Sequence, residues 1–101
     1  MPVTVTLQGR VMTALVSGEI DHHGAREIMT ALDREIDATL PNLLELDLSG
    51  VTFMDSSGIA ILLRARRRLS ELDGKVVVRS IPTQPRKVLD AAGVGRIITL
   101  Q

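Results

Sequence analysis

Hydrophobic and polar residues alternate along the first eight positions of the chain. Val3, Val5 and Leu7 are apolar and the residues between them are polar, which is the period of a strand with one buried face. Residues 8–10 (Gln-Gly-Arg) are a turn sequence, and a second apolar segment covers residues 11–16. This pattern predicts a β-hairpin at the start of the chain.

Two longer segments carry apolar residues at spacings of three and four, the period of an amphipathic helix. The first covers residues 22–40, with Asp21 as a candidate N-cap and Pro41 as a stop signal. The second begins near residue 57 and ends near residues 73–74, and a short third helix is predicted over residues 84–92. Three arginines of the second helix are expected on its solvent-exposed face: Arg64, Arg67 and Arg68.

Three further apolar segments, at residues 43–51, 75–79 and 96–100, predict strands, and the first of them is apolar enough to lie inside a sheet. Two strands are thus followed by three helix–strand units, an order that favours parallel pairing with right-handed crossovers. We therefore predict an α/β protein, a single domain over residues 1–101. It has one mixed sheet of four or five strands, three main helices and an N-terminal β-hairpin.

This topology brings two polar loops together. If the second and third strands are parallel, their carboxyl ends lie at one rim of the sheet, where open sheets of this kind place their sites. Residues 21–23 (Asp-His-His) and 55–57 (Asp-Ser-Ser) follow those two strands. A serine hydroxyl at the start of the second helix would be exposed beside free backbone N–H groups. It is a suitable place for a phosphate, which adds about −1.5 to −2 charges.

Composition and charge narrow the function. A length of 101 residues and a hydrophobic fraction of 45% suit one folded domain. Twelve basic and twelve acidic side chains cancel, which argues against a nucleic-acid-binding surface. The longest apolar run, at residues 59–63, is far shorter than the ~20 residues of a membrane span, so a soluble cytoplasmic protein is expected. No cysteine is present, and adjacent His22 and His23 cannot easily face one ion, so neither a metal site nor a cofactor is predicted.

Two blocks carry a resemblance to a known family. Residues 18–23 (Gly-Glu-Ile-Asp-His-His) and residues 53–58 (Phe-Met-Asp-Ser-Ser-Gly) together resemble the signature of the STAS domain. The similarity is greatest to bacterial anti-sigma factor antagonists, also called anti-anti-sigma factors. Weaker support comes from the fourth strand and from residues 91–94. Many members continue into a further C-terminal helix, so a chain whose last residue is Gln101 is expected to be either a minimal version or a trimmed one.

The resemblance implies a STAS fold and a switch. In that family the serine that follows the aspartate, here Ser56, is phosphorylated by an anti-sigma factor serine kinase of the histidine-kinase-like ATPase type. The unphosphorylated antagonist binds the anti-sigma factor and releases a sigma factor for transcription. A metal-dependent serine phosphatase restores the unphosphorylated form. The expected partner-binding residues are Asp21, His22, His23, Met54, Asp55, Ser56, Ser57 and Gly58.

Each of these residues also has a purely structural interpretation. Ser56, Ser57 and Asp21 are good N-cap residues, and Gly58 allows the second helix to pack close to the sheet. A catalytic Ser56 would require a general base and an oxyanion hole. The chain has no Gly-x-Ser-x-Gly elbow and no P-loop, so we predict that it is not an enzyme.

Two other functions stay open. The first alternative is a non-signalling STAS subunit that braces a bacterial lipid-transport ATPase. A module that senses a nucleotide or another small ligand is the second. The sequence also leaves open whether Ser57 can replace Ser56.

Overall fold

Five strands and three helices make up the computed structural model, which describes residues 2–101. In chain order the elements are β1 (Val3–Gln8), β2 (Val11–Ile20), α1 (His22–Thr39), β3 (Leu43–Met54), α2 (Ser57–Glu71), β4 (Lys75–Arg79), α3 (Thr83–Ala91), a 3₁₀ turn (Val94–Arg96) and β5 (Thr99–Leu100). The strands form one sheet in the order β1-β2-β3-β4-β5. β1 and β2 are antiparallel and the remaining pairs are parallel. The predicted α/β class, the hairpin, the mixed sheet and the three helices are therefore confirmed.

Both long helices lie on one face of the sheet. Each crossover moves one strand further in the same direction, and right-handed crossovers then place α1 and α2 side by side. Leu44, Leu46 and Leu48 of the central strand point toward these helices and are at most 2% exposed. Ile28 of α1 and Leu62 of α2 meet them in one continuous core. Full burial of each such side chain contributes about 1.5–3 kcal/mol, so this layer stabilises the packing of both helices on the sheet. Among residues 2–101, none of the helices is long and apolar enough to cross a membrane.

The opposite face of the sheet carries polar side chains along its central strand, with mixed neighbours on the two flanking strands. Thr13, Glu45 and Val77 are aligned across three strands, and Leu15, Asp47 and Arg79 form the next row. Arg79 lies 3.2 Å from a Glu45 oxygen and 3.9 Å from Asp47. The alternation of β3 therefore separates an apolar face under the helices from a polar face on the other side.

Two strands are longer than predicted, and one is shorter. β2 continues past residue 16 to Ile20, and β3 continues to Met54. The chain leaves the regular register near Gly18, whose φ of +89° an L side chain rarely adopts. The last strand is Thr99–Leu100 instead of residues 96–100. The amides of Ile97 and Ile98 bond to the Val94 carbonyl instead of to β4, which ends the predicted strand early.

The extensions of β2 and β3 form a ribbon that projects beyond the sheet. The register of β1 with β2 ends at Val16, with one further hydrogen bond from the Ser17 amide to the Pro2 carbonyl at 2.9 Å. β4 pairs with β3 only as far as Asp47 within the described chain. β2 and β3 continue together to the pair Ile20 and Met54, through two register shifts. We call the residues 17–20 and 48–54 the β2–β3 ribbon.

The prediction of a solvated arginine face on α2 is wrong for two of the three residues. Arg64 donates hydrogen bonds to Asp33 of α1 at 2.8–3.2 Å. Arg68 bonds to the same carboxylate at 2.9 Å and also to Asp37, while Arg67 is exposed. Arg64 and Arg68 are four residues apart and so share the flank of α2 that faces α1. They link the two helices.

Candidate functional site

The two polar loops meet at the tip of the β2–β3 ribbon. Ile20 and Met54 are register partners, and the Asp55 amide donates to the Ile20 carbonyl at 3.0 Å. Asp21 and Asp55 therefore leave neighbouring strands at the same level, and the predicted proximity of the two loops is confirmed. We call residues 21–23 and 55–57 the Ser56 rim.

Asp21 begins α1 as the sequence predicts. Its Oδ1 accepts the Gly24 amide at 2.8 Å, and its carbonyl accepts the Ala25 amide at 2.8 Å. The hydrogen bond from Gly24 lowers the pKa of Asp21 below its ordinary value of 3.8, against the opposing effect of desolvation, and His23 adds to the lowering. The carboxylate is therefore ionised at neutral pH and contributes a fixed negative charge to the rim.

Asp55, and not either serine, caps α2. The Asp55 Oδ1 accepts the Ser57 amide at 2.7 Å, and the Asp55 carbonyl accepts the Gly58 amide at 3.1 Å. Within residues 2–101 the Ser56 side chain makes no capping hydrogen bond. The interpretation of Ser56 and Ser57 as N-cap residues is thus wrong, because the preceding carboxylate has taken that role. The Ser56 hydroxyl is left without a structural task in the described chain.

The backbone amides beside Ser56 are also less available than predicted. Those of Ser57 and Gly58 bond to Asp55, and the Ile59 amide bonds to the Ser56 carbonyl at 3.1 Å. A phosphate on Ser56 could bind these amides only by displacing the Asp55 cap. A charge added here would therefore extend into solvent or toward a second protein.

The predicted partner-binding residues differ in exposure. His22, His23 and Ser56 are exposed, and Asp21, Asp55 and Ser57 are half-buried. Met54 is 1% exposed and Gly58 is buried. Met54 and Gly58 therefore cannot offer a contact surface as predicted, because both lie inside the fold beneath the rim. Instead, a Cβ on Gly58 would come within 2.6 Å of the Met54 side chain, so the glycine allows the first turn of α2 to pack on this methionine.

The two histidines lie side by side at the start of α1. Their ring centroids are 6.1 Å apart, with an angle of 68° between the rings. No group of three or more His, Asp or Glu side chains in residues 2–101 is arranged to hold a metal ion.

A groove of about 460 Å³ opens beside the rim, between α1 and α2. It begins at Ser57 and His22, and small or flexible apolar side chains line part of it. The same groove is also lined by Arg26, Asp33 and Arg64, so its walls carry positive and negative side chains. Sequence reasoning did not predict the groove, because it depends on the spacing of two helices that no local pattern specifies.

One residue that sequence reasoning missed supports the rim from below. The side-chain amide of Gln84, in the first turn of α3, bonds to both backbone groups of Met54. Its Oε1 accepts the Met54 N–H at 2.8 Å, and its Nε2 donates to the Met54 carbonyl at 2.8 Å. No local signal in the sequence marks this contact, because the two residues are 30 positions apart.

A comparison with known protein families identifies the family of this fold. A family model described as the STAS domain matches residues 2–101. The chain belongs to the STAS domain family. Two relatives are named anti-sigma F factor antagonists. The protein from Lysinibacillus sphaericus is 31% identical over 78 residues, which is 77% of this STAS domain and 67% of the relative. The one from Paenibacillus polymyxa is 27% identical over 90 residues, 89% and 77% respectively.

Solved structures agree with this assignment. An anti-sigma factor antagonist from Mycobacterium paratuberculosis has a TM-score of 0.85 at 28% identity, over 97% of this STAS domain and 82% of that chain. The anti-sigma factor antagonist SpoIIAA in its unphosphorylated form has a TM-score of 0.83 at 23% identity, over 98% and 87%. The phosphorylated form of SpoIIAA, from Bacillus, has a TM-score of 0.73 at 23% identity, over 98% and 90%. The SpoIIAA likeness concerns the fold, and the resemblance to the STAS family inferred from two short motifs is confirmed.

Proposed function

We propose that this STAS domain is an anti-sigma factor antagonist whose binding to a kinase-type anti-sigma factor is switched off by phosphorylation of Ser56. The unphosphorylated domain binds the anti-sigma factor and so releases a sigma factor for transcription. In this proposal the protein is cytoplasmic and acts by binding, not by catalysis. The names of its relatives support the antagonist function. One observation carries the assignment of Ser56: its side chain is exposed at the rim and takes no part in capping α2 in the described chain.

The modification is a simple phosphoryl transfer. The Ser56 Oγ attacks the γ-phosphorus of an ATP bound to the kinase, the bond from that phosphorus to the β,γ-bridging oxygen breaks, and ADP leaves. The hydroxyl proton passes to a base on the kinase. A serine phosphatase reverses the change by hydrolysis, which returns the hydroxyl and releases inorganic phosphate.

The charge of the phosphate explains why such a change would act on binding. Asp21 and Asp55 already place two carboxylates around the rim, and a phosphate adds about two more negative charges. The amides of the first turn are occupied, so the fold offers little compensation. Burial of this charge in an interface would cost several kcal/mol unless the partner supplied cations. The fold should therefore change little and the affinity for the partner should change strongly.

The proposed contact surface is the Ser56 rim together with the exposed Phe53 and the first turns of α2. Asp21, His22, His23 and the two serines would contact the partner directly. Met54 and Gly58 would act through the shape of the loop, since both are buried.

The first experiment is the intact mass of the protein purified from its native cell, before and after phosphatase treatment. We expect a fraction that is heavier by one phosphate, with the site mapped to Ser56. A phosphate that maps only to Ser57 or elsewhere would contradict the assignment. Absence of phosphate under all growth conditions, together with co-purification of a transporter ATPase, would instead support the alternative of a non-signalling subunit.

Three variants then test the switch in a binding assay with the kinase-type anti-sigma factor. Ser56→Asp should bind at least about tenfold more weakly than the wild type, which corresponds to ~1.4 kcal/mol. Ser56→Ala should bind as the wild type does and should not be phosphorylated. Ser57→Ala is the matched control, and it should still be phosphorylated at Ser56. Tight binding of Ser56→Asp would refute the mechanism.

A further inference from the structure

The β2–β3 ribbon lacks a neighbouring strand beside β3. β4 pairs with β3 only as far as Asp47 in the described chain, whereas β3 continues to Met54. A two-stranded ribbon on its own is marginally stable in water. The tip that carries the Ser56 rim therefore needs support from another element.

Gln84 supplies that support where β4 is absent. The N–H and C=O groups of one strand residue point to the same side of the strand, and those of the next residue point to the opposite side. The Asp55 amide bonds to the Ile20 carbonyl of β2. The N–H and C=O groups of Met54 therefore point away from β2. Met54 is 1% exposed, and a buried backbone group without a partner is costly. The Gln84 amide offers one acceptor and one donor, and both bonds to Met54 are 2.8 Å long. The side chain thus replaces one residue of a missing strand.

The contact fixes the residue that precedes the capping aspartate. Asp55 follows Met54 directly, and its Oδ1 holds the Ser57 amide at 2.7 Å. The Met54 side chain also lies against Gly58 of α2. Rotation of the Met54 peptide groups would therefore move the Asp55 cap and, with it, the direction of the Ser56 hydroxyl.

We propose that Gln84 is a positioning residue for the phosphorylation of Ser56: it clamps the end of β3 to α3 and so holds residues 55–57 in the geometry that the kinase requires. This inference rests on the proposed function of Ser56. A misplacement of about 1 Å at a reacting group can cost on the order of 100-fold in rate, so the clamp has room to act without any contact between Gln84 and the kinase.

Amide hydrogen exchange measured by NMR tests the clamp without any partner. In Gln84→Ala the protection factor of the Met54 amide should fall at least about tenfold relative to that of Leu46, an amide in the middle of the same strand. Gln84→Glu is the sharper variant. An ionised glutamate can accept the Met54 N–H but cannot donate to the Met54 carbonyl. A protonated glutamate can do both, as the native amide does.

The Met54 protection in Gln84→Glu should therefore recover toward the wild-type value as the pH falls below the usual glutamate pKa of about 4.3. The wild type, measured over the same pH range, corrects for effects of acid that do not depend on position 84. Two results would overturn the clamp. One is unchanged Met54 protection in Gln84→Ala, and the other is protection in Gln84→Glu that does not respond to acid.

A kinase assay then tests the consequence for Ser56. With the kinase-type anti-sigma factor and ATP at neutral pH, kcat for Gln84→Ala and Gln84→Glu should fall at least about tenfold, with a smaller change in KM. Lys87→Ala, an exposed change three residues further along α3, should keep the wild-type rate. Circular dichroism should show that all variants are folded.

The two hypotheses fail in different ways. Equal rates for the wild type and both Gln84 variants would refute the positioning role and leave the proposed function intact. A wild-type protein that the kinase does not modify would contradict the proposed function, and the exchange data would then decide the clamp alone.

Discussion

Gly58→Ala is the substitution for which two physical effects predict opposite signs. Helix propensity favours alanine over glycine by about 0.8–1.0 kcal/mol in a helix interior. Packing opposes it, because a Cβ at this position would lie 2.6 Å from both Cγ and Sδ of Met54 and 2.9 Å from its Cε. The methionine is 1% exposed, so other core side chains surround it and a shift of its flexible end would disturb their packing.

The structure indicates that packing outweighs propensity. The cavity beside Met54 and Gly58 measures only about 10 Å³, so the methionine side chain has little free space into which it could shift. Insertion of a methylene or methyl group into such a core costs about 1–3 kcal/mol. Because position 58 is in the first turn of α2, the gain from propensity should not exceed the interior value. We expect Gly58→Ala to lower the free energy of unfolding by about 0.5–2 kcal/mol.

Urea unfolding followed by far-UV circular dichroism measures this change, because the chain has neither Trp nor Tyr for a fluorescence assay. Ala60→Gly is the matched control: Ala60 is exposed in the same part of α2, and its loss should cost about 0.5–1 kcal/mol through propensity alone. In a Met54→Ala background, which removes the three clashing atoms, Gly58→Ala should become neutral or stabilising. If Gly58→Ala alone leaves the free energy of unfolding equal to that of the native protein, or raises it, the packing argument is refuted.

Three further predictions concern charge and the rim. The pKa of Asp21 is lowered in the fold, so its carboxylate stabilises the fold at pH values above the ordinary pKa of 3.8, and this stabilisation is lost as the pH falls through the lower folded pKa. Asp21→Asn should therefore be less stable than the wild type at neutral pH. The difference in the free energy of unfolding, measured by urea titration, should disappear in acid. Asp33→Ala removes the carboxylate shared by Arg64 and Arg68. It should lower the free energy of unfolding by about 1 kcal/mol, because the network is partly exposed. A loss of stability that is unchanged by about 0.5 M salt would argue against an electrostatic origin. Phe53 is 42% exposed, so Phe53→Ala should weaken binding to the anti-sigma factor by more than it lowers stability, and equal affinity by calorimetry would exclude Phe53 from the interface.

The elements that bury an apolar face were predictable from the sequence. The alternation in β3 and the helical spacing in α1 each correspond to a row of buried side chains, so local pattern and tertiary burial agree there. In β1 the same alternation is buried only at Val3, and Leu7 is 49% exposed. The rim followed from topology alone, because parallel strands end at the same edge. The motif at residues 53–58 then supplied the family, which periodicity could not have done.

The parts that escaped prediction depend on contacts between distant residues. Residues 17–19 (Ser-Gly-Glu) continue β2 without any apolar period, since they lie in the ribbon outside the helix-covered core. Asp55, Ser56 and Ser57 are all suited to cap a helix, and the last strand bond, at Asp55, determines which of them does so. Arg68 has no acidic residue four positions before it, and two of its three carboxylate partners, Asp33 and Asp37, belong to another helix. Gln84 looks like an ordinary polar residue at a helix start until Met54 is placed beside it.

The projection of the β2–β3 ribbon has a consequence for how another protein can reach Ser56. The Ser17 amide still bonds to the Pro2 carbonyl beside β1, and three residues of β2 continue past it to Ile20, roughly 10 Å at about 3.3 Å per residue. The surface around a hydroxyl at such a tip is convex. It is poorly placed to enclose a small substrate but well placed to enter the cleft of a larger enzyme. If Ser56 is phosphorylated as proposed, the depth of insertion depends on strand length: the number of residues by which β2 and β3 extend beyond their neighbours sets how far the serine can enter the active site of the kinase.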